Sequence, residues 1–221
     1  MTEPRDIADL PRALRELLPP STANAWRAIA PALPDSAVLY GGTGITAHLL
    51  HRVSRDLDFF LFNKFEPPSL AESLAAAGRF VVTSIAEGTL NGLLEDTKVQ
   101  FLDATSQNAV ESSLYVGGIP VAGIGDLLAT KLKVIGDRGA LRDYFDIMMI
   151  EQSGRPVEHG LAIYARRYGL TEADFALTLP LRGLLYMDDV LDDPTLPVPR
   201  DVIERYWTDR RKSLLAHLDR F

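Results

Sequence analysis

Hydrophobic positions recur along the chain with two different periods. Helical spacing governs residues 9–31, where Leu14, Leu17 and Leu18 precede Pro19-Pro20 and a second helix is expected around Trp26 and Ile29. The pattern then shortens. Residues 37–40 form an apolar strand that stops at Gly41-Gly42, after which Thr43 can cap a helix to about residue 50. Residues 55–62, rich in aromatic and branched side chains and bounded by Ser54 and Asn63, carry the strongest strand pattern. A helix over 69–77 ends at Gly78. Strands are expected over 80–85 and 98–102, joined by a hairpin or meander that turns near Asn91-Gly92. From Asp126 the period is helical again, over 126–135 and 140–150. Helices follow that break around Pro156, Pro180 and the 192–199 linker, with a last one over 201–218. The pattern predicts an α+β lobe over 1–122 and a helical lobe over 123–221, without internal repeats.

Composition narrows the chemistry. With 221 residues, 47% hydrophobic and 24% charged, the chain is an ordinary globular one rather than a disordered one. No run approaches the roughly twenty apolar residues that span a bilayer, and the first ten residues lack an apolar leader core, so a cytoplasmic location is expected. There is no cysteine and no His-Glu-x-x-His pair, so a metal would be held by oxygen. A net charge of -7 argues against a broad nucleic-acid surface. Local basic strips remain at Lys131, Lys133, Arg138 and Arg142, and at Arg205, Arg210, Arg211 and Lys212; the second group reads as a solvated helix face.

Asp56 and Asp58 stand two residues apart in the expected strand, so their side chains leave one face and can converge on one divalent ion. Phe60 and Phe62 continue that face, and Leu57, Phe59 and Leu61 make the other apolar. The strand therefore reads as buried on both sides, where two carboxylates need a counter-charge. Magnesium held by carboxylates and substrate phosphates meets that need; an acidic pair at a strand's exposed mouth is the plain alternative. Gly41-Gly42-Thr43 favours the first reading, because glycines between a strand and a helix N-terminus let backbone amides approach a triphosphate. Further along, Lys131 falls within the stripe of Leu127, Leu128, Leu132 and Ile135, whereas Lys133 points to the opposite side. Lys131 either snorkels from the core or directs its ammonium to a phosphate. Asp143 lies between Ile147 and Ile150 on the helical wheel, while Asp146 lies beside Arg142 and reads as an ion-pair residue.

The order strand, Gly-Gly-Thr, short helix, then His51-Arg52-Val53-Ser54-Arg55-Asp56-Leu57-Asp58 resembles the DNA polymerase β-type nucleotidyltransferase superfamily. More narrowly it is similar to the AbiEii/AbiGii toxin family. The run Asp126-Leu127-Leu128-Ala129-Thr130-Lys131-Leu132, followed by Arg138 and by Arg142-Asp143-Tyr144-Phe145-Asp146-Ile147, is similar to the same family's lysine helix and Asp-x-x-Asp helix. The resemblance spans about residues 38–150. It implies a polymerase-β-like α+β lobe with a mixed sheet, followed by a helical lobe. It also implies that Asp56 and Asp58 bind Mg2+, that Lys131 contacts the nucleotide phosphates, and that Asp143 or Asp146 completes the catalytic set. Gly41, Gly42, Thr43, Ser54 and Arg52 would line the nucleotide site, and Asp103 stands where superfamily members often place a third carboxylate, although a turn role suits it equally.

The implied activity is that of the toxin of a type IV toxin-antitoxin or abortive-infection pair. Such an enzyme would transfer nucleotides from an NTP to RNA, such as the 3′ acceptor end of tRNA, with a cognate antitoxin as a protein partner. Transfer onto protein, which the pI of 5.1 keeps open, and a non-catalytic nucleotide-binding module are the alternatives. P-loop, dinucleotide-binding and hydrolase-elbow motifs are absent from the sequence.

Overall fold

A computed structural model describes residues 10–171 and 175–218. It divides into two compact units, Met1–Asn108 with Ser112–Gly123, and Ala109–Glu111 with Ile124–Phe221. The chain passes from the first unit to the second after Gly123, and residues 109–111 join the second unit.

In the first unit the elements run α1 (Arg12–Leu17), α2 (Pro20–Ile29), β1 (Ala37–Tyr40), α3 (Gly41–Leu49), β2 (Leu57–Leu61), α4 (Pro67–Ala77), β3 (Phe80–Ala86), β4 (Thr89–Leu94), β5 (Thr97–Asp103), β6 (Leu114–Val116) and β7 (Ile119–Val121). Pro20 opens α2, where its fixed φ and missing N–H both suit a helix start. The seven strands form one mixed sheet in the order β3-β4-β5-β2-β1-β7-β6. β2 pairs antiparallel with β1 and parallel with β5, and β7 lies parallel to β1. Leu57, Phe59 and Leu61 are fully buried in one core cluster with Phe101, Trp26, Ile29 and Leu74. Phe59 and Phe101 are register neighbours whose rings stack at 5.2 Å. The Trp26 indole N–H reaches the carbonyls of Val116 and Gly117 at 3.3 Å and ties α2 to the β6–β7 turn.

Two expectations are corrected here, and two strands are added. The turn is not at Asn91-Gly92; those residues lie within β4, and tight turns fall on either side of it, at Glu87-Gly88 and at Glu95-Asp96, with positive φ at Gly88, Glu95 and Asp96. The reason is packing across strands: a Cβ on Gly92 would come within 2.3 Å of the Phe80 ring, which lies over it. The short strands β6 and β7, turning at Gly117-Gly118, were not visible in the pattern, because three residues carry too little periodicity. Finally, β2 is buried on one face only. Asp58 and Phe60 are half-buried, so the burial cost inferred for the aspartates is smaller than the pattern implied.

The second unit contains α5 (Ile124–Arg138), α6 (Leu141–Gln152), α7 (Val157–Tyr168), α8 (Thr178–Leu184) and α9 (Arg200–Leu218). Asp126 in α5 is fully buried, accepts hydrogen bonds from the Val110 and Glu111 amides, and pairs with the equally buried Arg167 of α7 at 3.0 Å. That clip is what brings residues 109–111 into this unit. Arg210 of α9 is not part of a solvated face. It bridges Glu151 at 2.7 Å and Glu158 at 3.0 Å, while Tyr206 donates to Glu151 at 2.6 Å. The Arg138 side chain, and residue 9 at the start of the first expected helix, lie outside the described residues.

Candidate active site

The site in the first unit is built on the β1–α3 junction. Gly41 adopts φ +66°, a left-handed conformation that glycine takes without strain. A Cβ there would lie 2.2 Å from Asp58 Oδ2, and one on Gly42 would lie 2.5 Å from Arg52 Nη2. The two glycines thus let a carboxylate and a guanidinium close on the start of α3. Tyr40 and Asp58 are directly opposite in the β1–β2 register, which sets Asp58 beside that turn.

The loop before β2 is held by threonines. Thr43 is buried and does not cap α3. Its hydroxyl donates to the Asp56 carbonyl at 2.5 Å and pairs with the Ser54 hydroxyl at 2.8 Å. Thr46, one turn later, donates to the Arg52 carbonyl at 3.0 Å, and Thr22 of α2 donates to the Arg55 carbonyl at 3.1 Å. Thr43 therefore positions Asp56 and Ser54 through the backbone and side chain. Thr22 and Thr46 escaped the sequence reading; the only signal was the three-residue spacing that puts Thr43 and Thr46 on one helix face.

Asp56 precedes β2 and Asp58 lies within it, both half-buried. Gln100 of β5 sits beside Asp58 in register and was also missed. Its amide donates to Asn91 at 2.8 Å, which in turn donates to Ser84 at 2.9 Å, so a polar row crosses the sheet from the aspartate. Asp103 does not join it. It stands opposite Leu61, three positions further along, and accepts from the Thr105 amide at 2.7 Å. Hydrogen bonds from the Thr105 hydroxyl and then from its amide hold the Asp103 carboxyl below the usual range, as in a turn residue. Among the described residues no three metal-ligating side chains are gathered. The Asp56/Asp58 pair fits magnesium, which binds through one or two carboxylates and takes its remaining ligands from water and phosphates.

In the second unit Lys131 is buried between two acids. Its Nζ lies 2.6 Å from Asp143 Oδ1 and 2.8 Å from Asp146 Oδ2. Asp143 also accepts from the Ala140 amide at 3.0 Å, at the start of α6. Asp146 is fully buried and reaches Lys131, not Arg142, so its place beside Arg142 on the wheel misassigned its partner. Burial pushes the Lys131 ammonium down, but the attraction and hydrogen bonds of Asp146 and Asp143 outweigh it and leave its pKa above the ordinary value. Lys133 is exposed and pairs with Asp137.

Residues 24–220 match the family model described as nucleotidyl transferase AbiEii toxin, type IV toxin-antitoxin system. The chain belongs to this family. The α+β unit with a mixed sheet followed by helices is the architecture expected from the resemblance. An uncharacterised protein of Aquifex aeolicus is 26% identical over 177 residues, covering 77% of this chain and 81% of the relative. Two Helicobacter pylori structures overlap it more distantly. JHP933 does so at TM-score 0.34 and 13% identity over 95% of this chain and 99% of that one. A provisionally assigned nucleotidyltransferase does so at TM-score 0.33 and 13% identity over 87% and 93%. No described helix is long and apolar enough to cross a membrane.

Proposed function

We propose that this AbiEii-family nucleotidyltransferase uses Mg2+ on Asp56 and Asp58 to transfer a nucleotide from an NTP to RNA, with the 3′ acceptor end of tRNA as acceptor. The observation that carries the metal reading is the close approach of Asp58 to the Gly41 backbone, which any side chain at 41 would block. When bound, the ion would neutralise charge developing on the α-phosphate. The acceptor hydroxyl gives up its proton to solvent as its oxygen bonds to the α-phosphorus, the bond to the bridging oxygen breaks, and pyrophosphate leaves. Arg52 and the amides at the start of α3 favour the anionic triphosphate. A cognate antitoxin is the protein partner in this reading.

The test is incubation of purified protein with Mg2+, each labelled NTP in turn and total RNA. Label in tRNA that disappears with EDTA is the expected result. Label in protein would replace RNA by a protein acceptor, and no label with any NTP would leave a binding module.

A further inference from the structure

β3 ends the sheet and, among the described residues, is hydrogen-bonded on one side only, to β4. Its seven residues, Phe-Val-Val-Thr-Ser-Ile-Ala, include no charge and no proline, the usual devices that keep an edge strand from pairing. All but Phe80 are exposed, and Val81, Val82 and Ile85 stand 56%, 42% and 46% accessible. The opposite edge, β6, has only three residues.

We propose that β3 is the interface through which two copies of this chain pair, antiparallel about a two-fold axis, joining their sheets edge to edge. The strand is self-complementary in two ways. Arg79 precedes it and Glu87 follows it, both exposed. Antiparallel pairing therefore brings unlike charges together at each end, whereas parallel pairing would set like beside like. The second match comes from the bulge between Val82 and Ser84. Because of it, Val82 and Ile85 lie on the same face, opposite the buried positions Gly92 and Leu90, while Val81 shares the other face with Leu93. A register that keeps both faces continuous sets Val82 opposite Ile85 of the second copy, and by symmetry Ile85 opposite its Val82. That places Glu87 of the second copy beside Arg79. Such a two-fold contact closes on itself and leaves no edge for further growth. One strand covers less than the ~1,200 Å² of a standard stable interface, so the dimer dissociates in roughly the micromolar range.

The absence of cysteine makes the register testable, since introduced thiols have no background. Full-length V82C and I85C proteins are oxidised mildly, separately and mixed. The mixture is expected to give a covalent dimer and each protein alone little. In this register two copies of residue 82 sit three residues apart along the strands, about 10 Å and beyond disulfide reach. Efficient cross-linking of V82C to itself would overturn the register. Light scattering should show wild type shifting from 24.3 kDa toward twice that mass as concentration rises. V82K and I85K should stay monomeric with unchanged melting, because both positions are already exposed in one copy. E87R should raise the dissociation constant about tenfold, from two unfavourable ends per dimer. R79E/E87R should restore it. The Arg79–Asp96 pair within one copy is lost in the double variant too, so only a contact with the second copy can produce that recovery. A wild-type chain that remains monomeric at about 500 μM, well above the expected micromolar range, or a V82K chain that still dimerises, would overturn the proposal.

Discussion

Replacing Lys131 with methionine removes the cation between Asp143 and Asp146 and leaves two carboxylates buried at 6% and 0% exposure. Methionine fits the apolar stripe, but the acids then have no counter-charge. Removing one partner of a buried pair costs about 3–5 kcal/mol. Titration sets a ceiling, because the variant can bind one proton and share it between the two acids. Protonating a carboxyl at pH 7, about three units above its ordinary pKa, costs roughly 4 kcal/mol at 1.36 kcal/mol per unit. At pH 5 the same ceiling is only about 1.5 kcal/mol. The sign follows. In the variant the folded carboxyl's pKa is raised, so stability is lost as pH rises from the ordinary carboxylate value toward that raised pKa. The wild-type Lys131, raised above an already high pKa, stays charged throughout. Urea unfolding at pH 5, 6 and 7 should therefore show a K131M deficit that grows with pH, and K131M/D143N/D146N should recover most of it. K133M, whose pair with Asp137 is exposed, should cost about 0.5 kcal/mol or less at every pH. A K131M deficit that is absent, or that does not change with pH, would refute the assignment of these acids as the lysine's buried counter-charges.

Other consequences are as direct. Gly41→Ala should abolish nucleotidyl transfer, since its Cβ would displace the Asp58 carboxylate, while costing about 1–3 kcal/mol for backbone strain; transfer and urea unfolding measured together separate the two effects. Asp58→Ala should leave the fold intact and remove both transfer and metal-dependent NTP binding by calorimetry, and Asp56→Ala should do the same. Thr43→Val should keep the buried volume but lose both hydroxyl bonds, lowering stability by about 1–3 kcal/mol and weakening NTP binding through the misplaced Asp56 loop. Glu151 is pushed up by burial, but the hydrogen bonds from Arg210, Tyr206 and the Val157 amide outweigh that and hold its pKa below the ordinary 4.5. Its contribution is therefore full above that value and lost as pH falls through the lower folded one, so Glu151→Gln should flatten the acid side of the stability profile.

Much of this molecule is local and was legible as such. The helices follow from their 3.6-residue stripes, and β1, β2 and β5 from short apolar runs bounded by glycine or polar residues. Asp56, Asp58, the glycine turn and Lys131 could be singled out from residue type and spacing. β4 escaped because its glycine mimics a turn until the Phe80 ring is seen lying over it. The threonine clamps on the Asp56 loop escaped because their partners are backbone carbonyls, which no side-chain pattern reports.

What the sequence determined by itself was the kind of elements, their order and the chemical types available, because period and composition act over a few neighbouring residues. Only the tertiary structure decided which of those residues meet. Asp103 and Gln100 lie three residues apart on one strand, yet the parallel β2–β5 register sets the glutamine, and not the acid, beside Asp58. Asp146 looked like a partner of Arg142 on its own helix, but α5 carries Lys131 against α6 and takes both acids. Asp126, unremarkable in its motif, became a buried clip for Arg167 and the residue 110–111 amides. These outcomes depend on groups 12 to 42 residues apart, and contacts at that separation are set by packing, which local periodicity does not encode.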